Sequence, residues 1–440
     1  MQKFYLKDYN VDESRFSSFN KDGTLYINVF FNPITSCPYC NGALSKNGYS
    51  VKKIIHSFST FQPVVLICHM RRYVCKECGK SFYQENRIAL PHQSISKFTI
   101  FLTLESLKKA TNTFESVAKY LYISRQDVIN IFDQFVECSR MKPLPKVLSF
   151  DEVYIGSKII NDKYSFVLLD FNNKKLVDML PSRHKYKLLS YFEKIPKVER
   201  NNVEYITMDM WETYRDIAKI RFPRALIAVD SFHIIKLINS KLDKVRTATM
   251  RKYDNNSETL EGNSIEYYML KKYSYYLMRD YDSLIPRFYC KKLKRWVDKD
   301  DIMKYILESS STLKECYELS KKYRDFNQTA TYKSCETDLD EIIEDFAKCS
   351  SEGFKEIAVT LKNWKEEIKN SFIEIDDGQD TNKVRRLSNG PIEGINSSIK
   401  KIFMCGNGYG NFERFRNRCI YSINQDIPIK GTPKKIHKKK

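Results

Sequence analysis

Two short turns, "SCPYC" at 36–40 and "VCKECG" at 74–79, each place a pair of cysteines two residues apart. Thiolates at this spacing can hold one metal ion together, and two such turns complete a tetrahedral four-sulfur shell that is closed to substrate. Cys37, Cys40, Cys75 and Cys78 are therefore expected to bind a structural Zn2+ ion in a zinc ribbon over residues 33–95. The strand-like runs "YSVKKII" and "PVVLICHMRRYV" lie between the turns, and their extra length absorbs the long gap from Cys40 to Cys75. Cys68 and His69 read as core and surface positions of the second run rather than as ligands. The chain has twelve cysteines, and Cys138, Cys290, Cys316, Cys335, Cys349, Cys405 and Cys419 are scattered singly, the usage of a reducing compartment with one metal site. Residues 1–32 carry no readable motif and stay unassigned.

A chain of 440 residues exceeds the usual single domain and predicts two to four of them. Its 74 Lys+Arg against 54 Asp+Glu give a net charge of +20, which makes a polyanion the expected partner. Nucleic acid outranks a membrane, because no run approaches the ~20 apolar residues of a spanning helix. The N-terminal "MQKFYLKDYNVDES" also lacks the apolar core of a signal peptide, so a soluble, cytoplasmic protein is expected.

Residues 114–135, "FESVAKYLYISRQDVINIFDQF", show the apolar spacing of two helices crossing closely, with Ala118 at the crossing and Tyr122 where a turn glycine is common. This predicts a helix-turn-helix DNA-binding domain over 96–140. Ser124 would cap its second helix, with Arg125, Gln126 and Asn130 facing outward as base or phosphate readers. "MKPLPK" at 141–146 reads as a proline-stiffened linker. Beyond it, "KVLSFDEVYIG", "KYSFVLLDF" and "KLVDMLP" are three strand-like runs at hairpin spacing, followed by alternating helix and strand through "VEYITMDM" and "ALIAVDSFH". The pattern describes a mixed sheet with helices on its faces, a multidomain α/β architecture. Residues 241–378 read as an all-helical insertion in which Trp296 and Trp364 are core anchors, the alternative for Trp296 being stacking on an unpaired base. Residues 425–440 form a basic tail, read as disordered.

Carboxylates end two of the strands. In "VLSFDEVYIG" side chains alternate faces, so only one of Asp151 and Glu152 can look into a given site. Asp209 ends "VEYITMDM" in the same way. Carboxylates on the ends of neighbouring strands can bridge Mg2+, a hard cation that prefers oxygen. "SNGPIEGINSSIKKI" offers a third acid on a helix opened by Pro391. Its stripe Ile392, Ile395, Ile399 and Ile402 would pack on the sheet and leave Glu393, Asn396 and Lys400 together on an adjacent face. Singly, each acid reads more readily as a capping or surface group.

The ordered set of a zinc ribbon, a helix-turn-helix, "SFDEVYIG", "ITMDMWETY", "AVDSFHIIK" and "SNGPIEGINSSIKKIF" resembles the transposases of bacterial insertion sequences in the ISL-three family. The resemblance covers about 33–424. It implies a ribonuclease-H-like catalytic domain over 145–240 and 379–424, interrupted by the insertion. It also implies a DDE triad of Asp151, Asp209 and Glu393 holding two Mg2+ ions, for which Mn2+ can substitute. The implied reaction is cleavage of DNA at the terminal inverted repeats of an element, followed by strand transfer into target DNA. A homodimer or larger assembly on the DNA of a bacterial nucleoid is implied as well. Asp230 and His233 in "VDSFH" are similar to an Asp-x-x-His element of several transposases and would lie behind the triad or position DNA, as would Asn396 and Lys400. A catalytically idle DNA-binding regulator on the same architecture is the alternative, disfavoured by the presence of all three acids; a resolvase-type nuclease is a third, which fits the acids but gives no reason for two N-terminal DNA-binding modules and a large insertion.

Overall fold

The computed structural model describes residues 6, 9–58, 61–156, 159–160, 162–278, 286–376 and 384–434. The segment without a motif opens the fold: β1 (Ser17–Lys21) and β2 (Thr24–Phe30) form a hairpin closed by Asp22 and Gly23, both at positive φ. An Asp-Gly pair favours this turn because it tolerates left-handed backbone at both central positions. The two strand-like runs of the ribbon fall on β3 (Leu44–Ile55) and β4 (Val64–Cys75), which pair antiparallel, with β5 (Ser81–Tyr83) on β4. β2 joins β4 in parallel, so β1 and β2 extend the ribbon into a five-stranded sheet. Cys68 is buried in the core of that sheet, while His69 stacks on Phe30 at 4.4 Å and bonds Asn28.

Three helices follow: α1 (Lys97–Leu107), α2 (Phe114–Leu121) and α3 (Arg125–Phe135). Thr113 and Ser124 close reciprocal caps on α2 and α3, each satisfying otherwise orphaned backbone donors. Tyr122 takes the left-handed conformation at φ 53°, so the turn forms without the glycine that usually serves there. Arg125, Gln126 and Asn130 are all exposed on α3, as predicted.

The central sheet is built from β6 (Val147–Tyr154), β7 (Tyr164–Asp170), β8 (Lys175–Leu180), β9 (Tyr205–Met208) and β10 (Leu226–Val229). Its spatial order is β10-β9-β6-β7-β8, antiparallel among the first three in sequence and parallel where β9 and β10 join, the mixed sheet that the periodicity predicts. Between β8 and β9 lie α4 (Lys185–Glu193) and α5 (Lys197–Asn201), and α6 (Glu212–Arg221) precedes β10. One face buries Phe150 among Phe166, Phe192, Phe222 and Tyr214, with ring centroids 5.4–6.3 Å away.

After β10 comes α7 (Ser231–Lys252), then α8 (Ile265–Lys272), α9 (Tyr275–Met278), strands β11 (Phe288–Cys290) and β12 (Arg295–Val297), and helices α10 (Lys299–Glu308), α11 (Ser311–Thr329), α12 (Cys335–Lys348), α13 (Glu352–Asn363) and α14 (Lys365–Asn370). The insertion is therefore not all-helical: β11 and β12 pair antiparallel across a lysine-rich turn in which Lys294 sits at φ 52°. Trp364 is buried as an anchor, but Trp296, expected to do the same, lies on β12 and is 60% exposed. A second hairpin, β13 (Glu374–Asp376) and β14 (Val384–Arg386), leads to α15 (Gly390–Cys405) and α16 (Phe412–Ile423).

The second face of the central sheet shares one apolar core with α15, α16 and all three helices α1–α3. The fully buried Arg418 of α16 donates to the carbonyls of Lys109 and Asn112, and Arg414 forms a bidentate pair with Asp133 of α3 at 2.6–3.1 Å. The proline segment is not a free linker: Leu144 is buried, and Arg140 and the Leu144 N–H both bond Glu199 of α5. The tail, read as disordered, is placed as far as Lys434, whose N–H bonds the Gln134 carbonyl 2.8 Å away; residues 435–440 lie outside the described residues.

Candidate active site

Strand register assembles the acids. Phe150 of β6, Met208 of β9 and Val229 of β10 are partners across parallel strands. The next residue on each strand is Asp151, Asp209 and Asp230, so three aspartates follow at one level on strands about 4.8 Å apart. β6 alone continues, and along it the alternation of side chains separates the two adjacent acids as expected. Asp151 meets α15 on one face, where Asn396 donates to its Oδ2 at 2.6 Å. Glu152 meets α6 on the other, accepting from Tyr214 Oη and Arg183 Nη1, each at 2.7 Å.

The helix α15 closes the site from above. Its buried residues Ile392, Ile399 and Ile402 seat it on the sheet, with Ile395 half-buried beside them, which confirms the apolar stripe. Asn396 lies within that buried stripe, while Glu393 and Lys400 stand exposed at its edge. Asn389, just before the helix, holds the aspartates in place: its backbone N–H donates to Asp230 Oδ2 at 3.0 Å and its Nδ2 to Asp209 Oδ1 at 2.9 Å. Asp230 also caps α7 through the Phe232 N–H, so it is both a helix cap and part of the site. His233, one turn into α7, bonds Asp209 Oδ1 through Nε2 at 3.0 Å rather than packing beneath the helix.

The electrostatics are those of acids drawn together with only partial compensation from His233. Burial and then the charge of Asp209 push the Asp151 carboxyl up to about 7. Burial, followed by the charge of Asp230, also raises Glu393, and His233 is raised chiefly by its hydrogen bond to Asp209. An open groove of about 450 Å³ runs beside them, lined by Glu152, Asp209, Trp211, His233, Lys236 and Ser240.

A divalent cation suits this donor set. Asn389 Oδ1 and Asn396 Oδ1 are buried acceptors with no hydrogen-bond partner, and the Asp151 and Glu393 carboxyls stay raised although His233, and for Glu393 Lys236, acts against the shift. Among the described residues, only the four thiols bring three or more possible ligand atoms all within 4.8 Å of one another, so the acids are held wider apart than a single-ion cage.

The thiol site is tighter. Cys37 and Cys78 Sγ are 3.8 Å apart and Cys40 and Cys75 Sγ 3.4 Å, against an edge of about 3.8 Å expected for a tetrahedron with Zn–S bonds near 2.3 Å. Each knuckle closes on a left-handed residue, Asn41 or Gly79. Backbone N–H groups of Cys78 and Glu77 point at Cys75 Sγ and draw its thiol down to about 6, toward the thiolate a metal requires. These residues fit a structural zinc ion.

Asn389, Arg183 and Tyr214 were not singled out by the sequence. Asn389 carried one signal, its place before Gly390-Pro391, and that reads only as a turn.

Three neighbouring parallel strands that bring an aspartate each to one level, beneath a helix bearing a glutamate, define an acid-centred α/β protein. A transposase family model, that of the ISL3 group of DDE transposases, matches residues 148–419, from β6 into α16. The chain belongs to the ISL3 transposase family, whose members cleave and transfer DNA. A comparison with curated proteins finds no match. No helix among the described residues is long and apolar enough to cross a membrane.

Proposed function

We propose that this protein is a DNA transposase that cuts the ends of its element and joins them to target DNA, using Asp151, Asp209 and Glu393 as the catalytic acids. The observation that carries the reading is the register that sets Asp151 and Asp209 side by side under the helix bearing Glu393. The sheet order, three antiparallel strands followed by two parallel ones, supports a ribonuclease-H-like catalytic domain over 145–240 and 379–424.

The three carboxylates would hold two Mg2+ or Mn2+ ions, which when bound lower the pKa of an attacking water or 3' hydroxyl and stabilise the leaving oxygen at phosphorus. The chain's own residues prepare that site. Asn396 orients Asp151, while Asn389 and His233 hold Asp209 from two sides, so the acids keep their geometry before substrate arrives. Lys236 lines the groove beside Asp209 and supplies positive charge for a phosphate. Exposed Arg125, Gln126 and Asn130 make α3 the reading helix of a helix-turn-helix for the terminal repeats, Lys400 adds a cation at the edge of α15, and the net charge of +20 draws the DNA backbone to the protein. Two ends must be brought together, so a dimer or larger assembly on DNA is proposed.

The test is cleavage of a labelled duplex carrying the element end, with Mg2+ or Mn2+, by wild type, Asp151→Asn and Glu393→Gln. Metal-dependent nicking that both substitutions abolish while DNA binding survives supports the reading. Binding without cleavage by wild type, in a paired-end complex, would instead favour an idle regulator.

A further inference from the structure

The insertion carries a surface that the cleavage chemistry does not use. Tyr289 of β11 and Trp296 of β12 are cross-strand partners, 51% and 60% exposed, with ring centroids 6.1 Å apart at 73°. Their hairpin is anchored from its other side by buried Cys290 and Val297, so the two rings face outward on a fixed base. Large aromatic side chains gain most when buried, and a paired set left in solvent marks a contact surface more strongly than a lone ring does.

The charge around the rings says what that contact is. From 286 to 297 the sequence carries Arg287, Lys291, Lys292, Lys294 and Arg295 and no acid. Lys292 is spent on the carbonyls of Glu261 and Asn263, and Arg295 lies 3.7 Å from Asp301. Arg287, which donates to the Trp296 carbonyl at 3.4 Å, and Lys291 and Lys294 are exposed around the aromatic pair. Rings offer π faces to flat groups, and cations beside them suit a chain of phosphates. In a duplex the base faces are covered by their neighbours, whereas an unpaired strand presents both its base faces and its phosphates.

We propose that the β11–β12 hairpin binds an unpaired DNA strand, with Trp296 and Tyr289 stacking on its bases and Arg287, Lys291 and Lys294 contacting its backbone. The choice of DNA as the polymer rests on the transposase reading; the preference for an unpaired strand rests on the hairpin alone.

The test uses the full zinc-loaded chain and a labelled oligothymidine of about 12 nucleotides, the size of one single-strand site. Trp296 is the strongly exposed tryptophan, Trp211 being half-buried and Trp364 buried, so bound oligonucleotide should quench the indole emission. Trp296→Ala should weaken binding roughly tenfold, the loss of one stacked base, Trp296→Phe should keep most of it, and duplex binding should barely move. Equal oligothymidine binding by Trp296→Ala and wild type would overturn the proposal, as would a parallel loss of duplex binding, which would make the hairpin a general cationic surface. Cleavage of duplex ends is measured in the same preparations. Cleavage by wild type together with Trp296-independent oligothymidine binding removes the platform and leaves the transposase reading intact. Trp296-dependent binding without any cleavage does the reverse.

Discussion

The thiol site and the acid site proposed to hold divalent metal are built in opposite ways. The thiol site takes four identical ligands from two turns of one small sheet and draws them together. The acid site takes carboxylates from positions 151, 209 and 393, sets them on a preformed sheet and helix, and keeps them apart with amide and imidazole hydrogen bonds. The difference lies in what stabilises what. A structural zinc contributes its binding energy to folding, whereas the acids depend on a fold that already exists, a sheet whose opposite face packs Phe150 on Phe192.

That contrast predicts the largest effect at the ribbon. Cys75→Ser, or a strong chelator, should remove an ion whose apparent binding in small zinc domains is about 10–16 kcal/mol at neutral pH. Limited proteolysis should then open residues 17–83 while the β6–β10 sheet stays protected. Equal protection of both regions would erase the distinction. The mirror experiment is Phe150→Ala, expected to cost about 3–5 kcal/mol of stability in the central sheet through the cavity it leaves. Zinc content should not change, as metal analysis would verify.

A smaller effect sharpens the acid side. Asn389→Ala should lower end cleavage or divalent-metal affinity about 10–100-fold, the usual range for a group that orients metal ligands, with no change in the circular dichroism spectrum. An unchanged rate would show that Asp209 needs no positioning from the helix side.

What was legible follows the same division. The ribbon ligands are close in sequence and chemically uniform, so spacing alone identified them. Asp151, Asp209 and Glu393 could be proposed because each ends an apolar run or opens a helix. Their hydrogen-bond partners could not, since the pairing of Asn389 with Asp209 crosses 180 positions and exists only because the start of α15 packs onto the sheet. Residues 1–32 contained a usable signal, the Asp22-Gly23 turn, but their parallel pairing with β4 is non-local. Trp296 was misread because a tryptophan in a helical pattern suggests burial, and the short hairpin that turns it outward has no glycine or proline in its own turn, its one breaker being Pro286 ahead of β11.

The smallest prediction concerns what supports the acid sheet at its entry. Arg140 holds the Glu199 carboxyl below its ordinary value of 4.5. A carboxyl lowered on folding contributes stability above its unfolded pKa and loses it as pH falls through the folded value. Glu199→Gln should therefore cost about 1 kcal/mol or less near neutral pH, and the gap in Tm between the two proteins should close as pH drops below 4.5.

The central claim is that Asp151, Asp209 and Glu393 form one divalent-metal centre. Its most direct test is a Mn2+ titration of the zinc-loaded protein on duplex DNA, followed by electron paramagnetic resonance, for wild type and for Asp209→Asn. Wild type should take up Mn2+ and the variant should lose most of that uptake while still binding DNA and keeping its zinc. Equal Mn2+ uptake by both would contradict the account.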